Sequence, residues 1–409
     1  MYGNKARIPQ LDGIRGLAIL LVLCWHYFAG VRFQSENAYV QLLKNMLSLS
    51  WSGVDLFFVL SGFLIGGILM DHRESKNYFK VFYIRRICRI FPMYFVLLLG
   101  FLLLKSVIDH DNNPGADWLF AGFPSLWPYV AFAQNFFMSF GEALRPPSLA
   151  ITWSLSVEEQ FYLILPFVLR AIPHKKVPHM CLFLIVSAPV IRTFIMVQPY
   201  FHNSAAFVLL PSRMDSLLIG VLGAWMLRDK KIHDYFRKNI EFIKKGCFIL
   251  AAGAMLFAVG RFGVLSMAMT PIGYTWLALM YLGIIYVGLL SEDGWTKSIL
   301  MLRPLRWLGC RSYAIYLFHQ LILGTFHYII TDSGPSLTKS YGYLCSLLAL
   351  ITTILFAELS WFLVEKPFLC LGRRFHYEVI EYVYDKNLSS SHASRNIKKQ
   401  MSGFASRGI

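Results

Sequence analysis

Charged residues are scarce in this chain: Asp, Glu, Lys and Arg make up 15% of its 409 residues, where about a quarter is usual for a globular protein. A soluble fold needs polar residues to coat its surface, so this scarcity argues against two or three soluble domains. The seven cysteines include no C-x-x-C pair, which leaves no pattern for a disulfide framework or a zinc site. No Walker loop, G-x-S-x-G elbow or strand-borne G-x-G-x-x-G occurs, so nucleotide hydrolysis and serine-hydrolase chemistry have no footing. Nor is there a soluble face of interleaved basic and aromatic residues, so the formal charge of +16 does not point to nucleic acid. What abounds is apolar: 56% hydrophobic residues and a mean hydropathy of +0.52. Lipid is the solvent such a composition expects, and the expected class is an all-α polytopic membrane protein.

A helix rising 1.5 Å per residue needs about 20 apolar residues to cross a hydrocarbon core about 30 Å thick. Ten such runs recur, at about 14–31, 51–70, 90–107, 150–169, 180–198, 206–227, 246–260, 272–290, 312–330 and 342–364. A further stretch, 118–140, is rich in Trp and Phe but broken by Pro124 and Pro128, and reads as a re-entrant or interfacial helix. With the N-terminus cytoplasmic and the segments alternating sides, 31 of the 39 Lys and Arg residues fall on the cytoplasmic side. That asymmetry predicts ten helices in one bundle with both termini cytoplasmic. The first run lacks a small-x-small cleavage site and reads as a membrane anchor, not a removed signal. Residues 1–370 are expected to form the membrane domain; 371–409, polar, Ser-rich and basic, read as a short cytoplasmic tail.

Ionisable side chains are costly in lipid and turn inward, so each one marks a candidate site. In the first helix, at about 100° per residue, Arg15 and His26 differ by only about 20° and Asp12 by about 40°, so all three share a stripe. His26 then sits about 16 Å along the axis from Arg15, near mid-membrane, with Asp12 and Arg15 at the cytoplasmic mouth. A lone buried histidine is as often structural as functional; the aligned Arg and Asp favour function. Arg85 and Arg89 stand at i, i+4 with Arg86 beside them, a guanidinium cluster suited to phosphate or to ordinary positive-inside anchoring. The second helix carries Asp55 and Ser61, with Gly62 allowing close packing. Glu158 and Glu159 lie near the outer end of their run, Arg213 and Asp215 are expected to pair, and His319 is placed about two turns into the ninth segment. Two intramembrane histidines with one or two carboxylates are enough for a proton relay or for general acid–base catalysis. His327 and Asp332 match a His-x4-Asp acyltransferase spacing but fall at the outer end of their helix, and are taken as chance.

At these motifs the sequence resembles the membrane acyltransferase-3 family, bacterial O-acyltransferases that modify O-antigens of lipopolysaccharide, exopolysaccharides, Nod factors and macrolides. The matching stretches are Leu11–Ala18 with His26, Phe57–Ile65, Arg85–Pro92, Trp153–Tyr162, Arg213–Asp215, Ser312–His319 and Glu365–Phe368, in order over nearly the whole chain. Longer members carry a C-terminal SGNH hydrolase-like domain, for which residues 371–409 leave no room. The resemblance implies transfer of an acyl group, most often acetyl, from cytoplasmic acyl-CoA to a hydroxyl of a surface or lipid-linked glycan. Acyl-CoA is then a donor substrate, with no resident cofactor or metal. Its phosphates are expected on Arg15, Arg85 and Arg89. His26 is expected to act as general base or as acyl carrier, with Asp12, Glu158 or His319 orienting its ring or moving its proton. A proton-coupled transporter or flippase is the alternative, weakened by the lack of an internal repeat.

Overall fold

The computed structural model describes residues 8–33, 37–108, 113–140, 144–202, 204–260, 262–291 and 294–378. Its helices are α1 (Pro9–Cys24), α2 (Ala38–Met46), α3 (Gly53–Asp71), α4 (Tyr78–Val107), α5 (Pro114–Phe120), α6 (Trp127–Val130), α7 (Gln134–Phe140), α8 (Thr152–Ala171) and α9 (Val177–Val197). There follow α10 (Ala205–Val208), α11 (Leu210–Met226), α12 (Lys230–Lys238), α13 (Ile240–Val259), α14 (Tyr274–Leu290), α15 (Trp295–Leu300), α16 (Arg303–Thr331), α17 (Ser340–Ser360) and α18 (Lys366–Arg373).

Among the described residues nine helical spans are long and apolar enough to cross a membrane. The tenth run read from the sequence is α8, whose 20 residues reach about 30 Å but carry Glu158, Glu159 and Gln160. The stretch 118–140 breaks into the ends of α5, α6 and α7, as its prolines require. Several boundaries move. The helix expected to start near 90 begins at Tyr78, so Arg85, Arg86 and Arg89 stand on α4 itself. At the C-terminal end α18 runs to Arg373, and the chain to Glu378 lies against the start of α4. The basic residues Lys386, Arg395, Lys398, Lys399 and Arg407 of the tail lie outside the described residues, as do Lys5 and Arg7.

Two helix pairs form the centre of the bundle, and glycine sets the spacing of both. In lipid, helices gain little from hydrophobic contact, so they associate where small residues let backbones touch. A Cβ on Gly16 of α1 would lie 1.9 Å from the Leu305 carbonyl oxygen of α16, and one on Gly309 of α16 would lie 1.8 Å from the Asp12 carbonyl oxygen. Likewise, a Cβ on Gly62 of α3 would lie 1.8 Å from Leu217 O of α11, and one on Gly220 would lie 2.1 Å from Val59 O. The first pair brings His26 to His319; the second brings Asp55 to Arg213.

The expected Arg213–Asp215 pair does not form. Two residues apart on a helix, their side chains diverge by about 200° and reach different neighbours. Arg213 pairs with Asp55 of α3 at 2.5 Å, and Asp215 pairs with Arg192 of α9 at 2.8 Å. All four side chains are fully buried. Arg213 is further held among the rings of Phe58, Trp153, Phe207 and Tyr274, the last at 4.1 Å. Nearer the ends, Arg228 forks onto Asp71 through two bonds of 2.7 Å, and Arg311 onto Glu358 through bonds of 2.8 and 3.1 Å.

Candidate active site

His26 does not sit on regular α-helix. Trp25–Ala29 form a π-turn, closed by the Gly30 amide donating to the Trp25 carbonyl at 2.8 Å. Such turns are rare and recur at functional sites. The Trp25 ring folds over the turn so closely that a Cβ on Gly30 would lie 2.7 Å from it. From this turn His26 faces α16, where its Nδ1 stands 3.1 Å from Nε2 of His319 and 3.0 Å from the Val22 carbonyl oxygen.

These partners assign the tautomers. His319 Nδ1 lies 2.7 Å from Tyr316 O and 3.1 Å from Ile315 O, both acceptors, so Nδ1 carries the proton and Nε2 is bare. His26 Nδ1 then also faces two acceptors, Val22 O and His319 Nε2, and is itself the donor. The lone pair of neutral His26 is left on Nε2. A proton or an acyl group taken there makes the ring cationic, and its Nδ1–H bond to His319 strengthens with that charge. His319 thus does for His26 what an orienting carboxylate does in a nucleophile–base–orienter relay. It lies sixteen residues into α16, more than four turns, because the helix begins at Arg303 and not near 312. It is fully buried at mid-helix.

Below the histidine pair, toward the end of the bundle where α1 begins, lies a cavity of about 140 Å³. Its cationic wall is Arg15, Arg86 and Arg89; its polar wall is Ser61, Ser154, Glu158 and Tyr162. Glu158 Oε2 accepts from the Tyr162 hydroxyl at 3.2 Å, and Tyr162 in turn bonds Ser61 Oγ. Arg15 Nη1 is 3.3 Å from Asp12 Oδ1. At the far end Tyr316 closes the cavity, its hydroxyl bonded to Ser154 Oγ at 2.6 Å and to Ile151 O at 3.0 Å. Tyr316 and His319 are one helical turn apart, so the cavity ends one turn below the histidine pair.

The residues singled out in the sequence therefore divide. His26 and His319 meet; Arg15, Arg89 and Glu158 line the cavity below them. Asp12 serves Arg15 and lies fourteen residues, about 21 Å of helix, from His26, too far to orient its ring. Arg85 is turned away from the cavity: Nε and Nη2 donate to the Phe375 carbonyl at 2.9 and 2.6 Å, and its guanidinium lies 5.3 Å from the Tyr377 ring. Arg86 takes its place. One residue of helix is 100° of rotation, and the sequence cluster alone does not say which arginine faces inward. Tyr377 stacks on His72 at 3.9 Å, and Asn77 clasps the same segment through His376 O and the Glu378 amide. Burial pushes the Tyr377 phenol up, against the pull of Arg85 and Arg86. Tyr316 carries a usable sequence signal, its i, i+3 spacing to His319. Arg192, an arginine inside an apolar run, is another. His327 and Asp332 find separate partners, Ser346 at 3.2 Å and Asn113 at 3.1 Å. Among the described residues no group of three or more His, Cys, Asp or Glu side chains is placed to hold a metal ion.

The chain is similar to peptidoglycan O-acetyltransferase OatA of Listeria monocytogenes, with 28% identity over 382 residues, 89% of this chain and 56% of that protein. It is similar to a putative O-acetyltransferase of Staphylococcus aureus strain COL, 29% identical over 383 residues, 90% of this chain and 58% of that protein. The putative peptidoglycan O-acetyltransferase YrhL of Bacillus subtilis is 26% identical over 389 residues, 90% of this chain and 56% of that protein. The chain thus spans somewhat over half the length of these relatives. No solved structure matches it. The acyltransferase domain family matches residues 8–359, most of the chain, and the protein belongs to that family.

Proposed function

We propose that this protein is a membrane O-acetyltransferase that takes an acetyl group from acetyl-CoA and delivers it to a hydroxyl of a cell-wall glycan. The observation that carries this reading is the contact of His26 with His319: a half-buried imidazole whose Nδ1 stands 3.1 Å from His319 Nε2 and 3.0 Å from Val22 O, which leaves the Nε2 lone pair for chemistry. In the base route, Nε2 takes the proton of the acceptor hydroxyl as its oxygen attacks the thioester carbon. The C–S bond breaks, and the CoA thiolate recovers the proton from His26. In the carrier route, Nε2 attacks the thioester carbon first and expels CoA as its thiolate; the glycan hydroxyl then attacks the acetyl-imidazolium, its proton passes to the thiolate, and neutral His26 is released. Both use the same lone pair, and trapping of labelled acetyl-enzyme separates them.

Arg15, Arg86 and Arg89 form the cationic wall that suits the donor's phosphates. Their end of the bundle is assigned to the cytoplasm, where CoA thioesters reside, with both termini on that side as the Lys and Arg asymmetry predicts. The plasma membrane is the compartment this implies. Peptidoglycan is the acceptor named in two of the similar proteins and the first to be tried; a lipid-linked or lipopolysaccharide glycan is the second. The test is to reconstitute the protein in liposomes with labelled acetyl-CoA and a muropeptide acceptor. Acceptor gaining the mass of one acetyl group, and none with His26→Ala, is the expected result. Equal transfer by His26→Ala would overturn the assignment.

A further inference from the structure

The π-turn at Trp25–Ala29 presents two consecutive side chains, not one, to the same stretch of α16. On a regular helix neighbours diverge by about 100°, which would send Tyr27 away from the face that carries His26. An i→i+5 turn holds more residues per revolution and narrows that divergence. Tyr27 uses it to grip His319 from the other side. Its hydroxyl lies 3.3 Å from the His319 carbonyl oxygen and 3.2 Å from Thr353 Oγ1 of α17, and its ring stacks on the His319 ring at 6.4 Å and 29°. Thr353 donates its own proton to the Ala349 carbonyl at 2.8 Å, so toward Tyr27 it is an acceptor. One phenol proton is therefore shared between α16 and α17, at the level where His26 Nδ1 meets His319 Nε2.

Resting on the catalytic reading of His26 given above, we propose that Tyr27, braced by Thr353, is a positioning residue for the histidine pair. Its hydroxyl bonds fix the height of His319 against the π-turn, and its ring limits the rotation of the His319 imidazole. Together they hold the Nδ1–Nε2 contact at bonding distance while His26 changes charge. Neither residue lines the cavity of arginines, so neither touches the region assigned to the donor's phosphates.

The experiment compares Tyr27→Phe, Thr353→Val, Thr353→Ser and His26→Ala in liposomes, measuring kcat and KM for acetyl-CoA and the midpoint of thermal unfolding. Tyr27→Phe keeps the ring and loses both hydroxyl bonds. Its kcat is expected to fall about tenfold with KM unchanged, the loss of roughly one good hydrogen bond in the transition state. Thr353→Val is expected to follow it in part, and Thr353→Ser, which keeps the acceptor, to restore wild-type kcat. Wild-type kcat in Tyr27→Phe would overturn the proposal. So would a fall in kcat that only tracks lowered thermal stability, or a Thr353→Ser enzyme as slow as Thr353→Val, since either is scaffolding without positioning. If His26→Ala itself keeps wild-type activity, the catalytic reading fails first, and the two failures are told apart in one assay.

Discussion

Replacing His319 by leucine should slow the reaction without abolishing it, and the size of the loss follows from the bonds around His26. In the resting state the His26 Nδ1–H bond to His319 Nε2 joins two neutral groups, a contact worth about 0.5–1.5 kcal/mol net. Once Nε2 has taken a proton or an acyl group, the same bond carries a cation and is worth about 1.5–3 kcal/mol. Only the difference, about 1–1.5 kcal/mol, lowers the barrier, which amounts to roughly a tenfold change in kcat. The tautomer itself is expected to survive, because Val22 O still accepts from Nδ1 at 3.0 Å. The loss of about 10⁴ that accompanies a wrong tautomer in serine proteases should therefore not occur. His319→Gln, with a carbonyl oxygen to accept the Nδ1 proton, should recover part of the rate. Steady-state transfer from labelled acetyl-CoA gives both numbers. A His319→Leu enzyme as inactive as His26→Ala would refute the reasoning, since His319 would then be a reacting group itself. One indistinguishable from wild type would refute it equally.

The cavity predicts that Arg86→Ala and Arg89→Ala each raise KM for acetyl-CoA by about ten- to a hundredfold, the value of one charge-assisted contact, with kcat less affected. Arg85→Ala should leave KM nearly unchanged and instead loosen residues 375–378, seen as faster proteolysis at that segment. Asp55→Ala strands a buried guanidinium and should destabilise the fold by about 3–5 kcal/mol, whereas the double change Asp55→Leu with Arg213→Met should recover most of it; thermal unfolding in detergent decides. Gly16→Val should abolish folding by forcing α1 off α16, while Gly100→Ala, with nothing within 4 Å of the new methyl, should not, as size-exclusion profiles will show.

Much of this molecule was legible before its fold. The apolar runs located the spanning helices because crossing lipid demands length and apolarity, both of which are local properties of the chain. His26 and His319 stood out because ionisable groups in such runs are rare and expensive. The pairing of groups was less legible. Arg213 and Asp215, close in sequence, look outward in different directions and bond residues far along the chain. Arg85 and Arg86 differ by a single step of helix, yet one holds the returning C-terminal segment and the other lines the cavity.

The sequence by itself determined that this is a helical membrane protein with a basic face at one end and two histidines within its apolar runs. Periodicity and solvation cost depend only on residues near one another in the chain. Tertiary structure alone decided that His319, and not Asp12, meets Nδ1 of His26, and that the cationic cavity stops one turn short of the pair. Those facts depend on which helices touch and on their rotation about their own axes. That is set by where Gly16, Gly309, Gly62 and Gly220 let backbones meet, and by a π-turn that resets the phase of α1 at His26.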